Sequence, residues 1–207
     1  MILKNDYYYY SQALSNQFCD QVIQTGTSIH LSQARTGGVS DKDLTDKKKL
    51  KHLKKIRNSF VSFLDDLWIH RKLKGFLLDA NQQAEWNFDV TKTEKMQFTK
   101  YGLKEFYGWH RDGFYKKYDN PKAPELIGTI RKLSMVVQLS EPSDYTGGEL
   151  EFSFPEPNKK LKIMTIPEFK AKGSIVVFPG FIWHRVKPVL SGTRYSLVTW
   201  TVGAPYK

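Results

Sequence analysis

The feature that most constrains the fold is a change of texture near residue 94. From there to residue 203 short apolar runs alternate with clusters of Gly, Pro, Asn and Asp, and no helical period separates them. Seven runs qualify as strands, over 96–101, 106–112, 132–139, 149–154, 174–178, 183–186 and 194–202. Short strands in succession without intervening helices predict a sandwich, jelly roll or barrel, because facing sheets are what bury such runs.

Upstream the pattern is helical. Over 14–26, Phe18 and Val22 fall one turn apart, Ser15 suits the N-cap and Gly26 the stop. Over 67–80, Ile69, Leu73, Phe76, Leu77 and Ala80 form one apolar face. Between them, 36–55 holds Gly37-Gly38 and the run KKKLKHLKK and reads as a solvated loop or frayed helix. The quartet Tyr7–Tyr10 reads as an edge strand or packing segment. With 207 residues, 40% of them apolar, the expected organisation is mostly β with flanking helices (α+β). Residues 1–93 form a helical flank packed on the core rather than an independent domain, and 94–207 form the β core. The single cysteine, Cys19, excludes an internal disulfide. The start MILKND lacks the apolar stretch of a secretory signal, and no run is long enough to span a bilayer, so a soluble, cytoplasmic protein without membrane partners is expected. Thirty-two Lys and Arg against 21 Asp and Glu give +11 and raise the question of nucleic acid or an acidic ligand.

The chemistry is carried by few residues. His110-Arg111-Asp112 places an imidazole and a carboxylate two positions apart, on one face of an extended strand. Alone this triplet is weak, since H-x-D arises by chance in roughly one such chain in three or four. His184 follows about seventy residues later and Arg194 ten beyond that. The turn residues between Pro188 and Gly192 suggest a hairpin that would set His184 opposite Ser196, with Arg194, Ser196 and Trp200 on one face. Two His and one carboxylate on one side of an ion suit non-haem Fe(II), and a nearby guanidinium suits a carboxylate ligand.

In this order and spacing the sequence resembles the Fe(II)/2-oxoglutarate-dependent dioxygenases, in particular the prolyl 4-hydroxylase-like branch. The segments QFTKYGLKEFYGWHRD, RKLSMVVQLSEPSDYTGGELEF, KGSIVVFPGFIWHRVKPV and SGTRYSLVTW carry the resemblance, which is strongest over 97–203. It implies a double-stranded β-helix (jelly-roll) core with His110, Asp112 and His184 as catalytic iron ligands. Arg194, Tyr101 and Ser196 would hold 2-oxoglutarate, and Tyr107, Arg131 and Trp200 would line the substrate site. Ascorbate is the accessory reductant it allows. One departure is Gln138, where many prolyl hydroxylases carry tyrosine. The segment 113–130, with Asn120-Pro121 and Pro124, has the length of a lid or binding loop.

The implied reaction is hydroxylation of an unactivated C–H, with prolyl 4-hydroxylation of a peptide or protein first. A free amino acid or other small molecule is the rival substrate, because fold does not fix function. From other classes come a basic nucleic-acid-binding protein on the same scaffold and a non-catalytic metal protein. A nucleobase dealkylase fits less well, because Trp200 stands where that branch has a second Arg. Much of the positive charge lies at Lys47, Lys48, Lys49, Lys51, Lys54, Lys55 and Arg57, a stretch expected to be a flanking loop.

Overall fold

In a computed structural model of the chain, residues 3–35, 47–113, 117–121, 123–155 and 161–206 are described. Their strands are β1 (Tyr8–Tyr10), β2 (Ser32–Gln33), β3 (Arg57–Asn58), β4 (Phe60–Leu64), β5 (Lys92–Thr93), β6 (Met96–Tyr101), β7 (Phe106–His110) and β8 (Ile130–Gln138). After them come β9 (Tyr145–Gly147), β10 (Leu150–Pro155), β11 (Leu161–Thr165), β12 (Ile175–Pro179), β13 (Trp183–Val186), β14 (Val189–Gly192) and β15 (Arg194–Gly203). The helices are α1 (Asn16–Ser28), α2 (Lys47–Ile56) and α3 (Leu67–Gln83).

The strands assemble into an antiparallel 8-stranded sheet ordered β1-β12-β8-β15-β6-β4-β2, with β5 beside β15, and a 5-stranded sheet ordered β11-β10-β13-β7-β3. The sheets face each other over Phe152, Phe154, Val176, Phe178, Ile182 and Val186. The outer face of the larger sheet is covered by α1 and α3 through Met96, Phe98, Leu133, Met135, Val137 and Leu197. Both faces of that sheet are therefore dry, which explains why β8 is buried almost throughout instead of alternating with polar residues. Period two still sorts its side chains. Leu133, Met135 and Val137 go to the helices, and Val136 goes to the space between the sheets.

α1 begins where the Oγ of Ser15 accepts from the amide of Phe18 at 3.2 Å. It runs past Gly26, which does not stop it. Gly26 serves as a contact instead, since an added Cβ would lie 2.3 Å from the Phe98 ring. On α3, Ile69, Leu73, Leu77 and Ala80 are buried along the expected face. The tyrosine quartet includes the edge strand β1, paired with β12.

Several expectations need correction. Besides the expected edge strand β1, the stretch expected as a helical flank supplies β2, β4 and β5 to the larger sheet and β3 to the smaller. Of the two readings of the lysine run, loop or frayed helix, the helix holds over α2 with Leu53 buried, while 36–46 falls outside the described residues. The hairpin between His184 and Ser196 does not form. β13 pairs with β10 and β7 in the smaller sheet, β15 pairs with β8 and β6 in the larger, and the intervening β14 pairs with β9. The chain between β13 and β15 crosses the sandwich, so His184 and Arg194 approach the interior from opposite walls. Within the long segment, 114–116 and 122 lie outside the described residues, and the rest includes a short 3-10 turn at Pro124–Leu126.

Candidate functional site

β7 ends at His110, and Asp112 lies just beyond the strand instead of within it. A register shift between β13 and β7 sets His184 directly opposite His110, and such bulges re-aim side chains. Each imidazole is fixed by its own backbone. His110 Nδ1 lies 2.8 Å from the carbonyl of Gly108, and His184 Nδ1 lies 3.0 Å from that of Ile182. A carbonyl only accepts, so Nδ1 is the donor in both rings and Nε2 is left with its lone pair in the neutral form. Both Nε2 atoms face one carboxylate, at 3.8 Å from Asp112 Oδ1 for His110 and 3.4 Å from Asp112 Oδ2 for His184. Ser134 Oγ donates to Asp112 Oδ2 at 2.8 Å and fixes that group in turn. The three ligand atoms lie within 4.8 Å of one another. Burial, with the neighbouring His184, pushes the pKa of His110 down to about 3. Burial works against ionised Asp112, but the two imidazoles and Arg131 outweigh it and hold the carboxyl well below its ordinary range. A neutral imidazole and an ionised carboxylate are the forms that bind a metal.

Across the gap, Arg194 on β15 is 1% exposed. Its Nε donates to Gln138 Oε1 at 3.1 Å, while both terminal nitrogens are buried without a hydrogen-bond partner among the described residues. A buried guanidinium edge with two unmatched donors fits a carboxylate, which accepts both at once. Tyr101, its cross-strand partner, is buried, and burial raises its hydroxyl pKa. Ser196 and Trp200 follow Arg194 on the same face and line the same cavity. This cavity, about 210 Å³, also holds the His110–Asp112–His184 cluster.

The remaining wall is stacked and cationic. The Tyr107 ring lies 3.5 Å from that of His110, nearly parallel, and Arg57 sits 4.3 Å over the Tyr107 ring. Arg131 is not solvated. It makes a two-pronged pair with Glu94, Nε to Oε1 at 2.7 Å and NH2 to Oε2 at 2.8 Å, and lies 3.9 Å over the Trp200 ring. All nine residues expected at the site are thus brought to one cavity. Sequence reasoning missed three others. Glu94 precedes β6 with no motif around it. Gln138 was noticed only as a departure. Arg57, counted with a flanking loop, is 5% exposed in β3 and lines the cavity. Its signal was the apolar run of 60–64, which marks a strand immediately after it.

Comparison with known proteins agrees with this geometry. The sequence profile described as the 2OG-Fe(II) oxygenase superfamily matches residues 96–202. The chain is 34% identical over 103 residues to a PKHD-type hydroxylase of Psychrobacter sp. (strain PRwf-1), covering 50% of this chain and 36% of that protein. It is 33% identical over 94 residues to a PKHD-type hydroxylase of Synechococcus sp. (strain CC9902), covering 45% and 35%. The matches thus span little more than a third of these relatives' length. Among solved structures, a Trichoplax adhaerens prolyl hydroxylase in complex with a hypoxia inducible factor oxygen degradation domain peptide fragment superposes with a TM-score of 0.67. It is 17% identical, and the match covers 96% of this chain and 84% of that one. A Pseudomonas putida prolyl-4-hydroxylase superposes with a TM-score of 0.62 at 19% identity, covering 96% and 92%. At these identities the structural likeness shows the fold. No described helix is long and apolar enough to cross a membrane.

Proposed function

The chain belongs to the 2OG-Fe(II) oxygenase superfamily, and from that premise we propose that it is an Fe(II)- and 2-oxoglutarate-dependent hydroxylase acting on prolyl residues of a peptide or protein. The observation that carries this reading is the pairing, in one cavity, of the His110–Asp112–His184 cluster with the buried, unmatched donors of Arg194. In this reading 94–207 is the catalytic core, and 1–93 packs on it.

His110, Asp112 and His184 would hold the metal, and Arg194 would bind the far carboxylate of 2-oxoglutarate with Tyr101 and Ser196 beside it. When bound, the iron and 2-oxoglutarate would activate dioxygen, one of whose oxygen atoms would go to succinate as CO2 is lost and the other to the substrate C–H. The chain's own share is orientation. The carbonyls of Gly108 and Ile182 hold the two imidazoles in one tautomer, and Ser134 holds the carboxylate. Gln138 aims the guanidinium. Tyr107, Arg131 and Trp200 form the wall against which a target residue is positioned, with Glu94 neutralising Arg131 so that the wall does not carry a bare charge. A peptide substrate is favoured because the Trichoplax structure, which shares the fold, holds a peptide fragment. A free amino acid is the second reading, since the cavity alone is of small-molecule size. A reducing cytoplasm suits a chain whose one thiol is buried and free.

The test is succinate formation with Fe(II), 2-oxoglutarate and ascorbate, comparing proline-rich peptides with free amino acids and following oxygen gain by mass. Stimulation by peptides with one added oxygen on proline is expected. Stimulation by free amino acids alone removes the peptide reading, and no succinate under any condition removes the enzyme reading.

A further inference from the structure

The proposed reaction leaves one cationic surface without a role. On α2, Lys51, Lys54 and Lys55 are exposed, and no Asp or Glu occurs from position 47 to 64. Such a run by itself is a solvated face. Here, however, the helix leads straight into the wall of the cavity. Ile56 at its end sets its carbonyl against β7, 3.1 Å from where a Cβ on Gly108 would lie, and the next residue, Arg57, opens β3 and pairs with Tyr107. Arg57 donates from Nε to Ser59 Oγ at 3.1 Å and from NH1 to the carbonyl of Arg35 at 3.2 Å. Its NH2 is buried with no partner among the described residues. Leaving a charged donor unmatched is costly, and an acceptor from a ligand recovers that cost.

We infer that α2 and Arg57 form a docking surface for an acidic segment of the polypeptide substrate. One carboxylate near the target residue reaches Arg57, and others lie along Lys51, Lys54 and Lys55. The inference rests on the peptide reading above. From Lys51 to Arg57 the helical rise gives about 9 Å, and extended chain advances about 3.3 Å per residue, so the acidic segment covers roughly three residues. Opposed charge of this kind accelerates encounter and selects among partners. A single-stranded nucleic acid would meet the same charge, but two of the cavity's rings are already covered. His110 and Arg57 both pack on the Tyr107 ring, and Arg131 packs on Trp200.

The experiment measures binding to the full chain of three labelled probes. These are a proline-containing peptide with an Asp/Glu flank, its Ser/Gln counterpart and a single-stranded oligonucleotide. The acidic peptide is expected to bind about tenfold tighter than the neutral one at low salt, with the advantage shrinking as salt rises. K51E/K54E/K55E abolishes the preference and K51Q/K54Q/K55Q reduces it, while peptide-independent succinate formation is unchanged in both. Equal binding of the two peptides, a preference that survives the triple charge reversal, or tighter binding of the oligonucleotide overturns the docking surface. Oxygen gain on the same peptides is read separately. Its absence counts against prolyl hydroxylation, whereas loss of charge preference in binding counts against the docking surface alone.

Discussion

Arg194 donates from Nε to Gln138 Oε1 at 3.1 Å, and Gln138 passes the contact on by donating from Nε2 to the Tyr145 hydroxyl at 3.0 Å. Gln138 therefore braces the guanidinium from behind and leaves its two terminal nitrogens for a ligand. Gln138→Ala removes a hydrogen bond to a charged group, worth about 1.5–3 kcal/mol. We expect KM for 2-oxoglutarate to rise about tenfold or more, with kcat nearly unchanged at saturating co-substrate. A fall in kcat with KM unchanged would show that Gln138 does not act through co-substrate binding.

Asp112 accepts from Ser134 and faces both imidazoles, so it is the member of the cluster that joins the others. Asp112→Ala and His110→Ala should each leave less than a tenth of the wild-type iron after gel filtration, with succinate formation lost. Ser134→Ala frees the carboxylate without removing it and should cost about 10–100-fold in iron affinity, the range for groups that orient a metal ligand. Iron retained at wild-type level in Asp112→Ala would remove the metal assignment.

Acid should destabilise the metal-free protein through His110. The folded ring titrates at about 3 because burial, and then His184, disfavour its charge, whereas the ordinary value is 6.5. Between those values the unfolded chain binds a proton that the folded chain refuses, so stability falls as pH drops below about 6.5 and levels off near 3. Melting temperatures of the metal-free protein between pH 7 and 4 measure this. His110→Gln should flatten the profile across that window.

Glu94→Ala strands the guanidinium of Arg131, with side chains only 12% and 23% exposed in the pair. Breaking a buried pair costs about 3–5 kcal/mol, and partial exposure places this one near the lower end. For a chain of this size that corresponds to a melting temperature lower by roughly 6–12 °C. Arg131→Lys should recover little, since an ammonium cannot match both carboxylate oxygens while lying flat on Trp200.

Gly26→Ala tests the packing of α1 on the larger sheet. A methyl group there would sit 2.3 Å from the Phe98 ring, far inside contact distance. Overpacking of this kind costs about 1–3 kcal/mol, against the stabilisation that Gly→Ala brings to an open helix position. A stability gain on calorimetry would mean that the ring moves aside freely.

Legibility followed the range of the physics involved. Local period two located β6, β13 and most of β15, and the alternation of Arg194, Ser196 and Trp200 on one face holds in the cavity. Pairing did not follow from proximity. The turn residues between Pro188 and Gly192 suggested a hairpin, but the buried faces of β13 and β15 belong to different sheets, and closing the sandwich outweighs the local turn preference. The same limit hid Arg57, whose charge suggested solvent until its backbone pairing with β7 placed it beside Tyr107.

The sequence by itself determined the class of core and the two helical faces, because side-chain period is a property of short stretches, and its resemblance to a family offered His110, Asp112 and His184 as candidate ligands. Only the tertiary structure decided that His110 and His184 meet across a bulged strand pair, that Gln138 braces Arg194, that Glu94 pairs with Arg131, and that Arg57 lines the cavity. Those contacts join residues far apart in the chain. Their energy depends on burial and mutual geometry, and neither quantity exists until the two sheets have closed.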